Sequence, residues 1–155
     1  MIHRTTRLAN LVLAGMLTGN EFGSRVIAHP ALRELAPRAH LHAEQALTRR
    51  YGQVMPVFMT ATLGSFVPLI ALEPDRTSRR SLLTAGAMAC YSAMLAVTLT
   101  RNVPLNDRLL ELMPQDTPDP EFLALRARWD RLHTARNLLN VAGLTCTALA
   151  ALTTD

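Results

Sequence analysis

The chain contains no lysine: all sixteen of its basic residues are arginine. Aromatic residues are scarce too, with four Phe, two Tyr and one Trp, and only two cysteines occur. Each shortage closes off a class of function. A net charge of +4 would suit a nucleic-acid partner, but the arginines lie between apolar runs rather than along one basic face. No aromatic residues alternate with them to make a base-stacking platform. Nucleic acid is therefore not an expected partner. Cys90 and Cys146 stand singly in apolar runs, with neither a Cys-x-x-Cys pair nor metal-ligand spacing. Both read as small packing residues. No internal repeat or low-complexity segment is present, and residues 1–155 suffice for a single domain of about four helices.

Charge is absent altogether from three long runs. Residues 51–72 carry none over 22 positions, residues 81–100 none over 20, and residues 137–154 none over 18. A bilayer core about 30 Å thick takes ~20 apolar residues as helix. The first two of these meet that length, and the last does if it begins near Leu132. An earlier run, residues 8–18, continues past Asn20 and Glu21 into residues 22–28 and is the most interrupted. A water-soluble bundle would return a polar residue every three or four positions. In residues 57–72 and 85–99 the only polar side chains are Thr, Ser and Tyr, which satisfy themselves within a helix bundle. The expected fold is an all-α, four-helix transmembrane bundle. A short amphipathic helix at residues 39–50 should lie between spans 1 and 2, and a helical extension, residues 121–136, should lead into span 4. Pro56 and Pro68 predict kinks in the second span. The N-terminal run reads as a retained first helix, since no clear small-x-small cleavage pattern follows it.

Arginine is unevenly shared between the connections. The N-terminus and second connection hold five; the first and third connections hold about ten. The positive-inside rule places both long connections, and the polar groups beside them, on the cytoplasmic side of a bacterial-type cytoplasmic membrane.

Residues 100–107, Thr-Arg-Asn-Val-Pro-Leu-Asn-Asp, follow the third run directly. Pro104 lacks an amide hydrogen and disfavours a helical Val103, so the helix is expected to end or break there. Asn102 and Asn106 would then sit at its mouth. The plainer alternative is a polar helix stop with Asn106 capping a new helix.

Four antiparallel spans bring the ends of spans 1 and 3 to one leaflet with the starts of spans 2 and 4. Polar groups gather at those ends: Glu21, then His40, His42, Glu44 and Tyr51, then Asn102 and Asn106, then Trp129, His133, Arg136 and Asn137. The opposite ends are expected to offer only Thr, Ser and a few Arg. An ionisable group within a span is costly and marks function by default. Glu21 is that group, with Arg136 or His133 as partner; the alternative is a structural ion pair that sets helix order. His133 and Arg136 share a helix face with Trp129, which could equally be an interfacial anchor. His40 and Glu44 have ligand-like spacing, although no Glu-x-x-His di-iron pattern occurs. A transition metal held by His40, Glu44, Glu21 and His133 stands as the alternative to no cofactor. His3 and His29 read as solvated.

Four pieces of sequence carry a family resemblance: Glu21-Phe22-Gly23, Tyr51-Gly52-x-Val54-Met55-Pro56, Asn102-Val103-Pro104-Leu105-Asn106 and Trp129-x-x-x-His133-x-x-Arg136. Together they resemble the anthrone oxygenase-like membrane family over almost the whole chain. The asparagine box with the later Trp, His and Arg is the most specific part. The resemblance implies four membrane helices and oxidation of anthrones to anthraquinones by dioxygen. An anthrone methylene is a carbon acid whose anion reacts with dioxygen unaided, so the implied substrate is a small hydrophobic anthrone- or hydroquinone-like aromatic. Glu21 or His133 would remove the proton, and Arg136 with Asn102 or Asn106 would hold the oxyanion. Trp129, Phe22, Met55 and Tyr51 would wall the pocket. Chemistry transfers between relatives less readily than fold. The alternatives are a non-catalytic membrane subunit or a module holding a quinone or lipid, and a metal-dependent membrane oxidase. A second copy of the chain is a further expected partner.

Overall fold

The computed structural model describes residues 2–153, with the side chains of Ile2 and His3 outside the described residues. They form four helical rods. The first is α1 (Ile2–Gly23), a π turn at Ser24–Ala28, and α2 (His29–Leu32). The second is α3 (Pro37–Gly64) followed by α4 (Phe66–Leu72), and the third is α5 (Arg79–Val97), a π turn at Thr98–Asn102, and α6 (Val103–Glu111). The fourth is one unbroken helix, α7 (Pro120–Leu152). Asp119 caps it through hydrogen bonds from the amides of Glu121 and Phe122, and Ser78 caps α5 through Ser81. The amphipathic segment foreseen between the first two rods is the start of α3 rather than a separate helix, and the extension before the last run is the first part of α7.

Prolines decide where the rods change pitch. Pro68 would press on the carbonyl of Gly64, and the second rod breaks there, at Ser65. Pro56 is carried inside α3. Pro104 does not end the third rod as expected. The preceding π turn closes with the Val103 amide donating to Thr98 O, a five-residue step, and helix resumes through Pro104 as α6. Pro30 follows the other π turn at the same offset. In both places the wider turn makes room for the ring and the missing donor, which are costly in an ordinary α turn. Asn106 therefore lies within α6 and caps nothing.

The rods α5 and α7 make the most extensive contact. Gly143 allows it: a Cβ there would lie 2.9 Å from the Tyr91 ring. Tyr91, fully buried, donates to Ala14 O at 3.3 Å and meets the Thr18 hydroxyl at 3.0 Å, tying the first rod to this seam. Ala14, Leu17, Met55, Met59, Phe66, Ala87 and Met94 complete the apolar core.

Much of the interior is polar and much of the exterior is not. Asn10, Glu21, Glu44, Asn102, His133, Arg136 and Asn140 are buried, whereas Leu8, Val12 and Met16 on the first rod, Val57 and Val67 on the second, Leu82 and Leu99 on the third, and Leu138 and Val141 on the fourth are exposed. Pro37–Leu72 and Arg79–Glu111 are each long and apolar enough to cross a membrane. The first and fourth rods fall short, because Glu21 and Arg25 interrupt one and Arg136, Asn137 and Asn140 the other. The end of the bundle remote from the asparagine box holds more than hydroxyls and arginines. Asn10 donates to Ser65 at 2.8 Å, and Glu73 lies 3.8 Å from Arg7 and 3.9 Å from Arg80. The void there is only about 20 Å³, room for little more than a water.

Candidate active site

All four rods contribute to one larger cavity of about 250 Å³. The second rod supplies Tyr51, Met55 and Met59 at roughly one-turn spacing, so one face of α3 forms a wall. Leu95 and Leu99 oppose them from the third rod. Glu21, His133 and Arg136 supply charge and an imidazole. Gly52, Pro56 and Thr60 on α3, with Leu99 and Val103 on the third rod, line the cavity and are also exposed. The cavity thus opens sideways between those two rods, through an apolar rim.

Two helices remote in sequence assemble the polar wall. Arg136 Nη2 donates to Glu21 Oε1 at 2.5 Å, both side chains being almost wholly buried. His133 Nε2 bonds the main-chain oxygen of Glu21 at 3.1 Å and lies 3.6 Å from Glu21 Oε2. A carbonyl oxygen only accepts, so Nε2 carries the proton in the neutral ring and Nδ1 carries the lone pair. That Nδ1 is buried and has no hydrogen-bond partner. The Trp129 indole donates to Asn106 Oδ1 at 2.9 Å, and its ring packs 4.3 Å from that of His133.

Residues 45–146 match the family model described as anthrone oxygenase. The chain belongs to the anthrone oxygenase family. No curated protein and no solved structure matches it. The anthrone oxygenase match takes in Tyr51, Met55, Asn102, Asn106, Trp129, His133 and Arg136; Glu21 lies before it.

Eight of the nine expected catalytic and substrate-binding residues are buried or cavity-lining, and seven line the cavity together: Glu21, His133, Arg136, Asn106, Trp129, Met55 and Tyr51. Asn102 does not line it; the π turn aims its side chain into protein, where it is fully buried with neither amide atom partnered. Phe22 is 53 % exposed and also absent from the lining. It follows Glu21 directly, and one step along a helix turns a side chain by about 100°, away from the face that Glu21 shares with the interior.

His29, expected to be solvated, is buried and lines the cavity. Its ring packs edge-on against Trp129 at 4.6 Å, and its Nδ1 lies 3.0 Å from Glu44 Oε1. Glu44 is completely buried and also faces His40 Nε2 at 3.5 Å and Arg126 Nη1 at 3.3 Å. Arg126 stacks 4.4 Å over Trp129 and bonds Asp130, which pairs with Arg33. The four residues foreseen as metal ligands are divided between two clusters, His40 with Glu44 and Glu21 with His133. An arginine sits on each carboxylate. Among the described residues no group of three or more His, Cys, Asp or Glu is placed to hold a metal. The signal that could have found His29 is its position just before Pro30 in an otherwise apolar run, the same setting that Val103 has before Pro104.

Proposed function

We propose that this protein is a membrane-embedded oxygenase that oxidises a small hydrophobic aromatic, anthrone- or hydroquinone-like, with dioxygen and without a metal or organic cofactor. One observation carries the reading: a predominantly apolar cavity of about 250 Å³ with Glu21, His133 and Arg136 along its wall. The volume lies just under the ~300–1,000 Å³ usual for small-molecule sites, which suits one compact ring system. The apolar faces that all four rods turn outward and the two rods of membrane-crossing length support the membrane-embedded reading. A substrate dissolved in hydrocarbon would enter sideways, past Pro56 and Leu99. The arginine-rich long connections favour an orientation with the polar wall toward the cytoplasm.

His133 is the better base and Glu21 the better counter-ion. Glu21 Oε2 and His133 Nδ1 are both buried without a hydrogen-bond partner, but Glu21 Oε1 is taken by Arg136, which commits the acid to that guanidinium, and the imidazole is not so committed. Once Nδ1 takes the methylene proton, the Glu21 carboxylate at 3.6 Å stabilises the imidazolium. The substrate's negative charge spreads to its oxygen, where Arg136 and the Asn106 amide donate; an oriented donor of this kind contributes about 3 kcal/mol to a barrier. The carbanion then gives its electron pair to dioxygen, forming a carbon–oxygen bond and a peroxide anion. Protonation of the peroxide and loss of one water, its hydrogen coming from the same carbon, leave the new carbonyl. One dioxygen enters and one water leaves.

The test is oxygen uptake by the purified protein in lipid nanodiscs with an anthrone. The expected result is one dioxygen consumed per quinone formed, unchanged after chelation and dialysis. Uptake no faster than in empty nanodiscs, with the anthrone nevertheless bound, would leave a binding module in place of an oxygenase. Loss of uptake on chelation would instead support the metal-dependent oxidase.

A further inference from the structure

The oxidation described above leaves unused a row of titratable groups running away from the cavity. His29 lines that cavity. Its Nδ1 is 3.0 Å from Glu44 Oε1, and the same oxygen is 3.5 Å from His40 Nε2. His40 lines a second cavity, about 160 Å³, whose walls include Arg33, Gln115, Thr117 and Asp119. Leu35, Leu41, Phe122 and Leu123 make most of its wall apolar, but at that volume it has room for several waters beside these polar groups. Glu44 is 0 % exposed and lines neither cavity. Three side chains therefore bridge two cavities, each apolar over most of its wall but each with polar groups along it. An imidazole can accept a proton at one nitrogen and release it from the other, so two imidazoles about one carboxylate can pass a proton either way.

We infer that His29, Glu44 and His40 form a proton conduit between the reaction cavity and the second cavity. Its use rests on the proposed oxidation, which releases a proton from carbon and later needs one on the peroxide. Outward, the proton that His133 took from carbon leaves its Nδ1 and joins His29 at Nε2, a buried atom with no hydrogen-bond partner, the His133 and His29 rings lying 5.9 Å apart between centroids. The Nδ1 proton moves to Glu44 Oε1, Glu44 gives its proton to His40 Nε2, and the other ring nitrogen of His40 releases one to water. Only N–H and O–H bonds form and break, and no electron is transferred. The inward passage that supplies the peroxide returns both rings to their starting tautomers. Arg126, 3.3 Å from Glu44 Oε2, disfavours a proton resting on that carboxyl and keeps it a point of transit. The charge of Arg126 is itself offset by Asp130, which Arg33 holds at 2.6 Å. The rings are shielded by Trp129 against His29 and Phe122 against His40. A purely structural clamp would need one of these pairs, not a carboxylate shared by two imidazoles that reach separate cavities.

Two readouts on the full chain in nanodiscs test the conduit. The first is exchange of the His29 ring N–H with water, followed by nitrogen-15 NMR. The second is oxygen uptake with an anthrone, with and without millimolar imidazole. His40→Ala and Glu44→Gln should each slow the exchange about tenfold. They should also lower kcat about tenfold at unchanged KM, less than the ~100-fold or more lost with a general base itself, because the conduit only carries the proton onward. In His40→Ala, imidazole diffusing into the second cavity should restore kcat. Should His40→Ala fail to fold, Glu44→Gln, nearly the same shape, reads the same two quantities. Exchange as fast in both variants as in the parent overturns the conduit, whatever happens to uptake. Slowed exchange in a protein that oxidises no anthrone keeps the conduit and removes the oxidation.

Discussion

Glu21 and Arg136 lie 115 residues apart and meet at 2.5 Å with both side chains almost wholly buried. Replacing Glu21 by Leu strands the guanidinium. Its Nε has no hydrogen-bond partner even with the acid present, and the acid is its only charged neighbour within ion-pair distance among the described residues. Two unit charges about 4 Å apart attract by about 4 kcal/mol at an effective dielectric of about 20. Removing one member of a buried pair costs about 3–5 kcal/mol, because the other charge stays desolvated. Glu21→Leu and Arg136→Leu should each destabilise by that amount, read as the shift in a detergent-denaturation midpoint. The double variant removes both charges and should recover most of the loss, since a well-packed apolar pair of similar volume is often neutral. Oxygen uptake with an anthrone separates structure from chemistry: the singles and the double should all be inactive, the double while folded. Single variants that cost under about 1 kcal/mol would refute the claim that the pair is desolvated. A folded double variant with full uptake would remove the pair from the reaction and leave it a helix clamp.

Three shorter predictions accompany this one. His133→Ala should cut anthrone turnover by about 100-fold or more, the usual loss of a positioned general base; undiminished kcat would take His133 out of the mechanism. Gly143→Ala should destabilise by about 1–3 kcal/mol, because the new Cβ would fall 2.9 Å from the buried Tyr91 ring; an unchanged denaturation midpoint would refute the tight α5–α7 seam. Leu99→Trp at the exposed rim should raise KM for an anthrone several-fold with little change in stability, and an unaltered KM would place the route of access elsewhere.

Neighbouring residues made the long apolar runs legible. A run of twenty uncharged positions reports helix and environment without any knowledge of what packs against it, and the asparagine box with Trp129, His133 and Arg136 pointed to the anthrone oxygenase family. Antiparallel succession of the rods was enough to gather Glu21 with His133 and Arg136, because short connections force alternate ends together. Facing was a different matter. Phe22 and Glu21 are adjacent in sequence yet one is exposed and the other buried. Asn102 and Asn106 frame the same proline, yet only Asn106 reaches the cavity, since the π turn rotates everything after it relative to an ideal helix.

What the sequence determined by itself was the number of rods, their apolar character and the end of the bundle where polarity collects, all properties of local composition and chain order. Only the tertiary structure decided that His29 turns inward to Glu44, that the pair from Glu21 to Arg136 closes, and that the cavity opens between α3 and the second π turn. Those outcomes depend on how each helix is rotated about its own axis. That rotation is set by packing between residues far apart in the chain, such as Thr18 against Asn140 and Tyr91 against Gly143, and by the two π turns, whose wider step no run of apolar residues announces.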